Sequence, residues 1–247
     1  MNFQKKTNYK YFVIFPLISF GLGTWQIYRY QWKKNLIQTA QNKVEEEPVE
    51  LTEKSVNDLV SNKQQELEFR RVYLEGNFVK GASEIHLGPR SYDGFLGYYI
   101  ISPFKLVNGK SILVNRGWVP LNLKDENFRI TSGTYSNETV DVLGLVSKIK
   151  EKGSMFTPEN QPQKNQWYYL DVPEMAKQLD ALPLMVNAIE ELPKTTVSSS
   201  IKRFDTNIES HFYNKHISYI GTWYGLTACL TFIYFKYMKP GIKMVPK

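Results

Sequence analysis

The chain has 247 residues, 42% of them hydrophobic, with a formal net charge of +7 and a single cysteine, which is room for one or two domains with a buried core and excludes a disulfide framework, a CxxC redox pair and a thiolate zinc site. All 24 acidic residues lie between Glu45 and Glu209, and the stretch 35–214 holds 20 Lys and Arg, a net of −4; the other 11 bases flank two apolar runs. Positive charge that brackets hydrocarbon-length segments is a membrane-flank signal, so a nucleic-acid surface is excluded as the source of the basicity.

Residues 1–10 form a short basic tail. The segment 11–28, YFVIFPLISFGLGTWQIY, carries no charge and would rise about 27 Å as a helix, close to the roughly 30 Å hydrocarbon slab. Pro16 is compatible with a membrane helix whose neighbours take up the freed carbonyl. A cleaved signal peptide would show a small-x-small site after its apolar stretch, whereas this run continues into Trp25, Gln26 and RYQWKK, so a retained anchor is expected.

Residues 29–68 read as a helical connector: Trp32–Glu50 is polar and helix-compatible up to Pro48, and Ser55–Glu68 has the pattern of a surface helix. The period then changes to two. FRRVYLEGNF (69–78), EIHLG (84–88), YYIISPFKL (98–106), SILVNRGW (111–118) and VDVLGLVSKI (140–149) alternate, and Gly, Pro and Asn turn chemistry separates them. VPEMAKQLD (172–180) opens as a helix on its proline, LPLMVNAI (183–190) reads as another strand, and 191–203 is a loop. Residues 69–204 are therefore expected to form one β-rich soluble domain.

Asp205 can cap a helix over 205–216 that leads through His211 and His216 into a second charge-free segment, 217–235. Four lysines follow Phe235 in the tail 236–247, which disfavours a buried core helix and, by the positive-inside rule, places the C-terminus inward. The first segment has three bases on each side and gives no orientation. The expected fold is a membrane α+β protein: two transmembrane helices flanking a β-rich, small barrel-like soluble domain with a few helices, both tails on the inner side.

A search for chemistry returns little. Cys229 falls in mid-span, the methionines are scattered, and no dinucleotide fingerprint, phosphate loop or nucleophile elbow occurs. No carboxylates pair in a way that suggests acid–base catalysis, so no enzyme is expected. His86, in a predicted strand, and His211, on a polar helix, are read as satisfied structural histidines. Gly221 and Gly225 make a GxxxG that permits close packing on the first span or on a partner.

The stretches GTWQIYRYQWKKNLI (23–37), FRRVYLEGNF (69–78), LGPR (87–90), ILVNRGWVP (112–120), FTPENQPQKNQWYYLDV (156–172) and NKHISYIGTWY (214–224) resemble the Surfeit locus protein one family, in that family's order and over most of the chain. The resemblance implies a two-span protein that helps assemble cytochrome c oxidase, in the mitochondrial inner membrane or a bacterial plasma membrane, with a β-rich domain on the outer side. Its implied partners are the large oxidase subunit, the other oxidase subunits and the lipid bilayer. It further implies an association with haem a, bound transiently and not as a firm cofactor, with the family's histidine before the second span at His216. The chain departs from the family in a short N-terminus without an Arg-rich transit sequence.

The residues leave two readings of that histidine open. On a helix His216, Tyr219 and Trp223 share one stripe, while Trp25 and Arg29 form another near the outer end of the first span. An imidazole can ligate haem iron, aromatic rings can flank a porphyrin and a guanidinium can pair with propionates. The other reading is an interfacial aromatic belt with a capping or snorkelling His and Arg. Arg90, Arg116 and Trp118, at predicted turns of the β domain, could meet a propionate or a partner's carboxylate, or anchor backbone carbonyls. The competing functions are a permanently bound structural oxidase subunit without cofactor and a membrane-tethered haem enzyme.

Overall fold

The computed structural model describes residues 9–52, 56, 67–79, 83–125, 128–129, 139–192, 201–206 and 216–238. The chain divides into two compact units, one of residues 1–39 with 209–247 and one of residues 40–208.

The first unit is a helix pair. α1 runs Ile14–Glu45 after a 3-10 turn at Tyr9–Val13, and α2 below refers to Val172–Gln178 and α3 to His216–Ile233, the last continuing into a π turn at Tyr234–Met238. The 3-10 turn touches the π turn, and Phe20 meets Tyr224 edge-on at 5.6 Å, so α1 and α3 run antiparallel. Gly23 makes this approach possible: a Cβ there would stand 3.2 Å from the Tyr224 ring. The expected Gly221 and Gly225 seam is not used in this pair, since a Cβ on either would meet nothing within 4 Å.

The helices leave apolar side chains outside. Ile14, Phe15, Leu17, Ile18 and Phe20 of α1 and Ile217, Leu226 and Phe232 of α3 are all exposed, and α3 buries no residue. Their hydroxyls are satisfied internally: Ser19, Thr24, Thr222 and Thr227 each donate to the carbonyl four residues earlier, which removes the need for water along the helix. Among the described residues one helix, Tyr11–Glu45, is long and apolar enough to cross a membrane, with a mean hydropathy of 1.3 over its best window. α3 is charge-free but falls short of that hydropathy, because His216, Ser218, two tyrosines, Trp223 and three threonines dilute its aliphatic residues.

The second unit is a seven-stranded sheet: β1 Val49–Glu50, β2 Arg71–Phe78, β3 Ile85–Tyr92, β4 Phe95–Leu106, β5 Ser111–Pro120, β6 Val140–Val146 and β7 Met185–Leu192, in the order β1-β2-β6-β7-β5-β4-β3. A further antiparallel pairing of β2 with β4, Gly76 opposite Leu106, closes β2, β4, β5, β7 and β6 into a five-stranded barrel. Gly76 permits the closure, as a Cβ there would collide with the Lys105 carbonyl at 2.1 Å. All barrel contacts are antiparallel except β5 with β7.

Alternation decides which side chains fill the barrel. Val72, Leu74 and Phe78 of β2 join Phe104, Ile112, Val114, Val142 and Val186 inside. β5 is buried on both faces, and its outward Leu113 packs with Ile101, Met185, Trp167 and α2 residues Val172 and Met175 in a second core. Asp171 caps α2 with Pro173 in its first turn, as the VPEM pattern requires.

Strand ends differ from expectation by a few residues. β3 extends to Tyr92 and β4 begins at Phe95, because an Asp93-Gly94 turn, both at positive φ, makes one hairpin of what the sequence showed as two separated strands. β1, only two residues long, gives no periodic signal. The helix expected over Ser55–Glu68, the helix over 205–216 with His211, and the tails lie mostly outside the described residues.

Candidate functional site

His216 of α3 places Nδ1 2.6 Å from Oε1 of Gln26 on α1. An amide oxygen only accepts, so the shared proton sits on Nδ1. Two turns along α3, Tyr224 lies against Gly23 and Phe20, and its hydroxyl is 3.2 Å from Thr24 Oγ1. Polar bonds at two levels thus fix the register of the helix pair around His216.

The other residues of the two sequence stripes are placed differently. Trp25 is 53% exposed, turned about 100° from its neighbour Gln26. Arg29, one turn beyond Gln26, holds its guanidinium 4.5 Å over the ring of Trp32. Tyr219 is half exposed and Trp223 partly buried. The structure joins His216 to Gln26, a residue the sequence reading passed over, and among the described residues shows no direct bond from His216 to Trp25 or Arg29. Gln26 lies within the GTWQ motif, but its spacing from Trp25 gave no reason to prefer it.

In the strand unit, Arg90 and Arg116 do not sit at turns. Arg90 lies in β3, donating to the Tyr168 carbonyl at 3.0 Å and to Glu151 at 3.2 Å. Arg116 lies inside β5 and is 1% exposed, its guanidinium 4.2 Å over Phe78 and bonded by Nε and Nη2 to the two oxygens of Glu191. Arg203 bonds the same carboxylate. Burial pushes the Glu191 carboxyl up, but the two guanidiniums outweigh it and hold it below the usual carboxylate range. Arg116 therefore has no exposed charge to offer a propionate or partner, and its surface role is corrected to one in folding. Trp118 is 5% exposed, donates Nε1–H to the Arg90 carbonyl at 3.1 Å and packs on Tyr92.

His86 is also corrected. It lies in β3 as expected, but its buried Nε2 makes no hydrogen bond among the described residues and is 3.8 Å from Glu84 Oε2. Burial lowers its pKa, against the pull of Glu84 and with the help of Lys124 and Arg129. Sequence periodicity placed it on a strand; only the packing shows that Nε2 makes no hydrogen bond among the described residues. No group of three or more His, Cys, Asp or Glu suited to a metal ion occurs among the described residues.

Comparison with known proteins gives a consistent result. A family model described as the SURF1 family matches residues 13–228, which takes in α1, the barrel and most of α3. A SURF1-like protein of Dictyostelium discoideum is 46% identical over 97% of this chain and 98% of its own length. The Surfeit locus protein 1 of Homo sapiens is 34% identical over 91% of this chain and 75% of its length, and a SURF1-like protein of Monosiga brevicollis 36% identical over 86% and 80%. With a helix pair, a closed barrel and this match across both, the chain belongs to the SURF1 family.

Proposed function

We propose that the protein is a non-enzymatic factor in the assembly of cytochrome c oxidase, anchored by α1 and α3 and contacting the large oxidase subunit. Family membership supports the assembly role. Two antiparallel helices with exposed aliphatic faces and internally bonded hydroxyls support the bilayer anchor, because such surfaces are unfavourable in water and neutral in lipid. In this reading the membrane is the mitochondrial inner membrane, both termini face the matrix and the barrel faces the intermembrane space.

The finer reading is that the outer end of the helix pair holds haem a transiently during its delivery. The observation that carries it is the Gln26–His216 bond. Ligating histidines characteristically donate their second ring N–H to a fixed acceptor, which sets the tautomer and orients the other nitrogen. The donor set fits haem iron: His216 would ligate through Nε2, with Tyr219 and Trp223 flanking and Arg29 available to a propionate. Bound haem would supply an iron centre; the chain supplies its ligand, orientation and shelter from water.

Purified full-length protein titrated with haem in detergent tests this. A Soret shift lost in His216→Ala supports haem holding, and an identical shift in the variant removes it. Recovery of the protein with immature oxidase supports the assembly role. Stoichiometric recovery with mature, active oxidase would instead mark a resident subunit.

A further inference from the structure

The outer face of the barrel carries a feature separate from the helix pair. Alternation turns Val72, Leu74 and Phe78 of β2 into the core and so sends Tyr73 and Glu75 outward. Register then fixes their neighbours. Tyr73 stands between Glu50 of β1 and Leu143 of β6, while Glu75 is opposite Asp141 of β6, which is opposite Leu192 of β7. Two adjacent rows therefore cross the sheet, Glu50–Tyr73–Leu143 and Glu75–Asp141–Leu192. Tyr73 and Leu192 are exposed.

The charges in these rows have one sign. Residues directly opposed on one face of an antiparallel pair, as Glu75 and Asp141 are, have Cβ atoms about 4.5–5.5 Å apart, and like charges so placed destabilise a sheet. The basic residues of the flanking rows do not relieve them: Arg71 donates to the carbonyls of Glu45 and Glu46 at the end of α1, and Lys105 stands one row beyond, opposite Asn77. The Tyr73 phenol lies in the resulting field. Its pKa is raised, first by its hydrogen bond to Asp141, then by burial and by the charges of Asp141, Glu75 and Glu50.

That field selects the occupant by charge complementarity. Anionic lipid headgroups and polyanions are repelled, and the net −4 of residues 35–214 steers cations inward. An arginine is complemented at each point: its guanidinium lies over an aromatic ring and pairs with carboxylates, and its aliphatic stem covers apolar side chains. With strands about 4.8 Å apart, the rows span roughly 10 Å by 7 Å. Such an area is far below a standard protein interface, so it suits one or two side chains of a short segment in a transient contact.

We infer that the outer face of β2 and β6 docks a basic segment of a partner polypeptide, an arginine guanidinium lying over Tyr73 and pairing with Glu75 and Asp141, with a neighbouring apolar side chain against Leu143 and Leu192. The inference does not depend on haem binding by the helix pair.

The test adds full-length protein in non-ionic micelles, up to about 0.3 mM, to the acetylated and amidated peptide Leu-Arg-Val-Arg carrying a neutral coumarin, and reads fluorescence anisotropy against empty micelles. The expected result is a saturable rise at about 50 mM salt that weakens at about 300 mM. Glu75→Gln with Asp141→Asn weakens binding about tenfold and leaves the thermal midpoint at or above the parent's, because opposed like charges are removed. Tyr73→Leu weakens it about threefold. Glu159→Gln with Glu174→Gln, two exposed carboxylates outside the rows, changes it by less than about twofold. The inference is overturned if no saturable rise occurs, if citrulline in place of arginine binds as tightly, or if the two double variants weaken binding equally, which would mark net charge alone. It is also overturned if the Glu75 and Asp141 variant melts below the parent, or if calcium displaces the peptide where sodium chloride of equal ionic strength does not, which would mark an inorganic cation site.

Discussion

His216 and Gln26 are 190 residues apart in sequence and 2.6 Å apart in space, Nδ1 of the imidazole against the amide oxygen. The bond ties α3 to the middle of α1 and keeps a proton on Nδ1 of the ring. Replacing Gln26 by Leu keeps the bulk and removes the acceptor. Loss of such a supporting bond typically weakens ligation about 10–100-fold, so under the proposed haem-holding role affinity should fall by that factor in Gln26→Leu while the protein still inserts. Equal haem titration curves for the variant and the parent would show that the bond only packs the helices.

The helix pair approaches closely at Gly23 and is open at Gly221 and Gly225. Gly23→Leu must displace the Tyr224 ring, an overpacking cost of about 1–3 kcal/mol, and should lower the amount of intact protein in membranes several-fold. A Cβ at Gly221 or Gly225 would meet nothing within 4 Å, so Gly221→Ala and Gly225→Ala should leave that amount unchanged. Immunoblots of washed membranes compare the three; the opposite order would mean that α1 and α3 pack through the GxxxG face.

Glu191 pairs with both Arg116 and Arg203 inside the barrel unit. Glu191→Ala removes the paired carboxylate from a guanidinium that is 1% exposed, at a cost of about 3–5 kcal/mol. The thermal unfolding midpoint should fall on the order of 10 °C. Arg116→Met with Glu191→Leu and Arg203→Met, which removes all the charges together, should recover most of the loss. A single Glu191→Ala variant that melts like the parent would refute a stabilising role for the network.

Burial holds the His86 pKa below the ordinary histidine value of 6.5. As pH falls through that value the unfolded chain gains a proton that the folded chain does not, so stability drops between 6.5 and the lower folded value. The stability present at neutral pH is thus lost on acidification. Unfolding of the parent and of His86→Gln at about pH 7.5 and about pH 5.5 measures it; the parent should lose more stability than the variant. Parallel losses would place the sensitivity elsewhere, for instance at Glu191, whose depressed carboxyl adds stability above the ordinary carboxylate range that is lost only at more acid pH.

Much of the fold is legible in local pattern, because hydrophobic period and turn chemistry are short-range properties. The alternation in VYLEGNF and SILVNRGW places β2 and β5 to within a few residues, and Asp171 followed by Val172 and Pro173 marks the start of α2. The site is less legible. Arg116 beside Gly117 looks like a turn residue, but Gly117 has φ +127° within a strand, where a Cβ would strike the Lys202 carbonyl at 2.4 Å. Nothing local separates a turn glycine from one needed for close approach.

The sequence by itself determined the charge-free first segment, the two-residue period of the middle, the family resemblance and the presence of a histidine beside the second charge-free segment, since each is a property of residues in order. The tertiary structure alone decided the closure of β2 on β4, the partnership of Gln26 with His216, the burial of Arg116 and the burial of the His86 ring nitrogen. Those depend on which distant segments share a register, and a register is set by packing across the whole barrel and helix pair, which no window of neighbouring residues encodes.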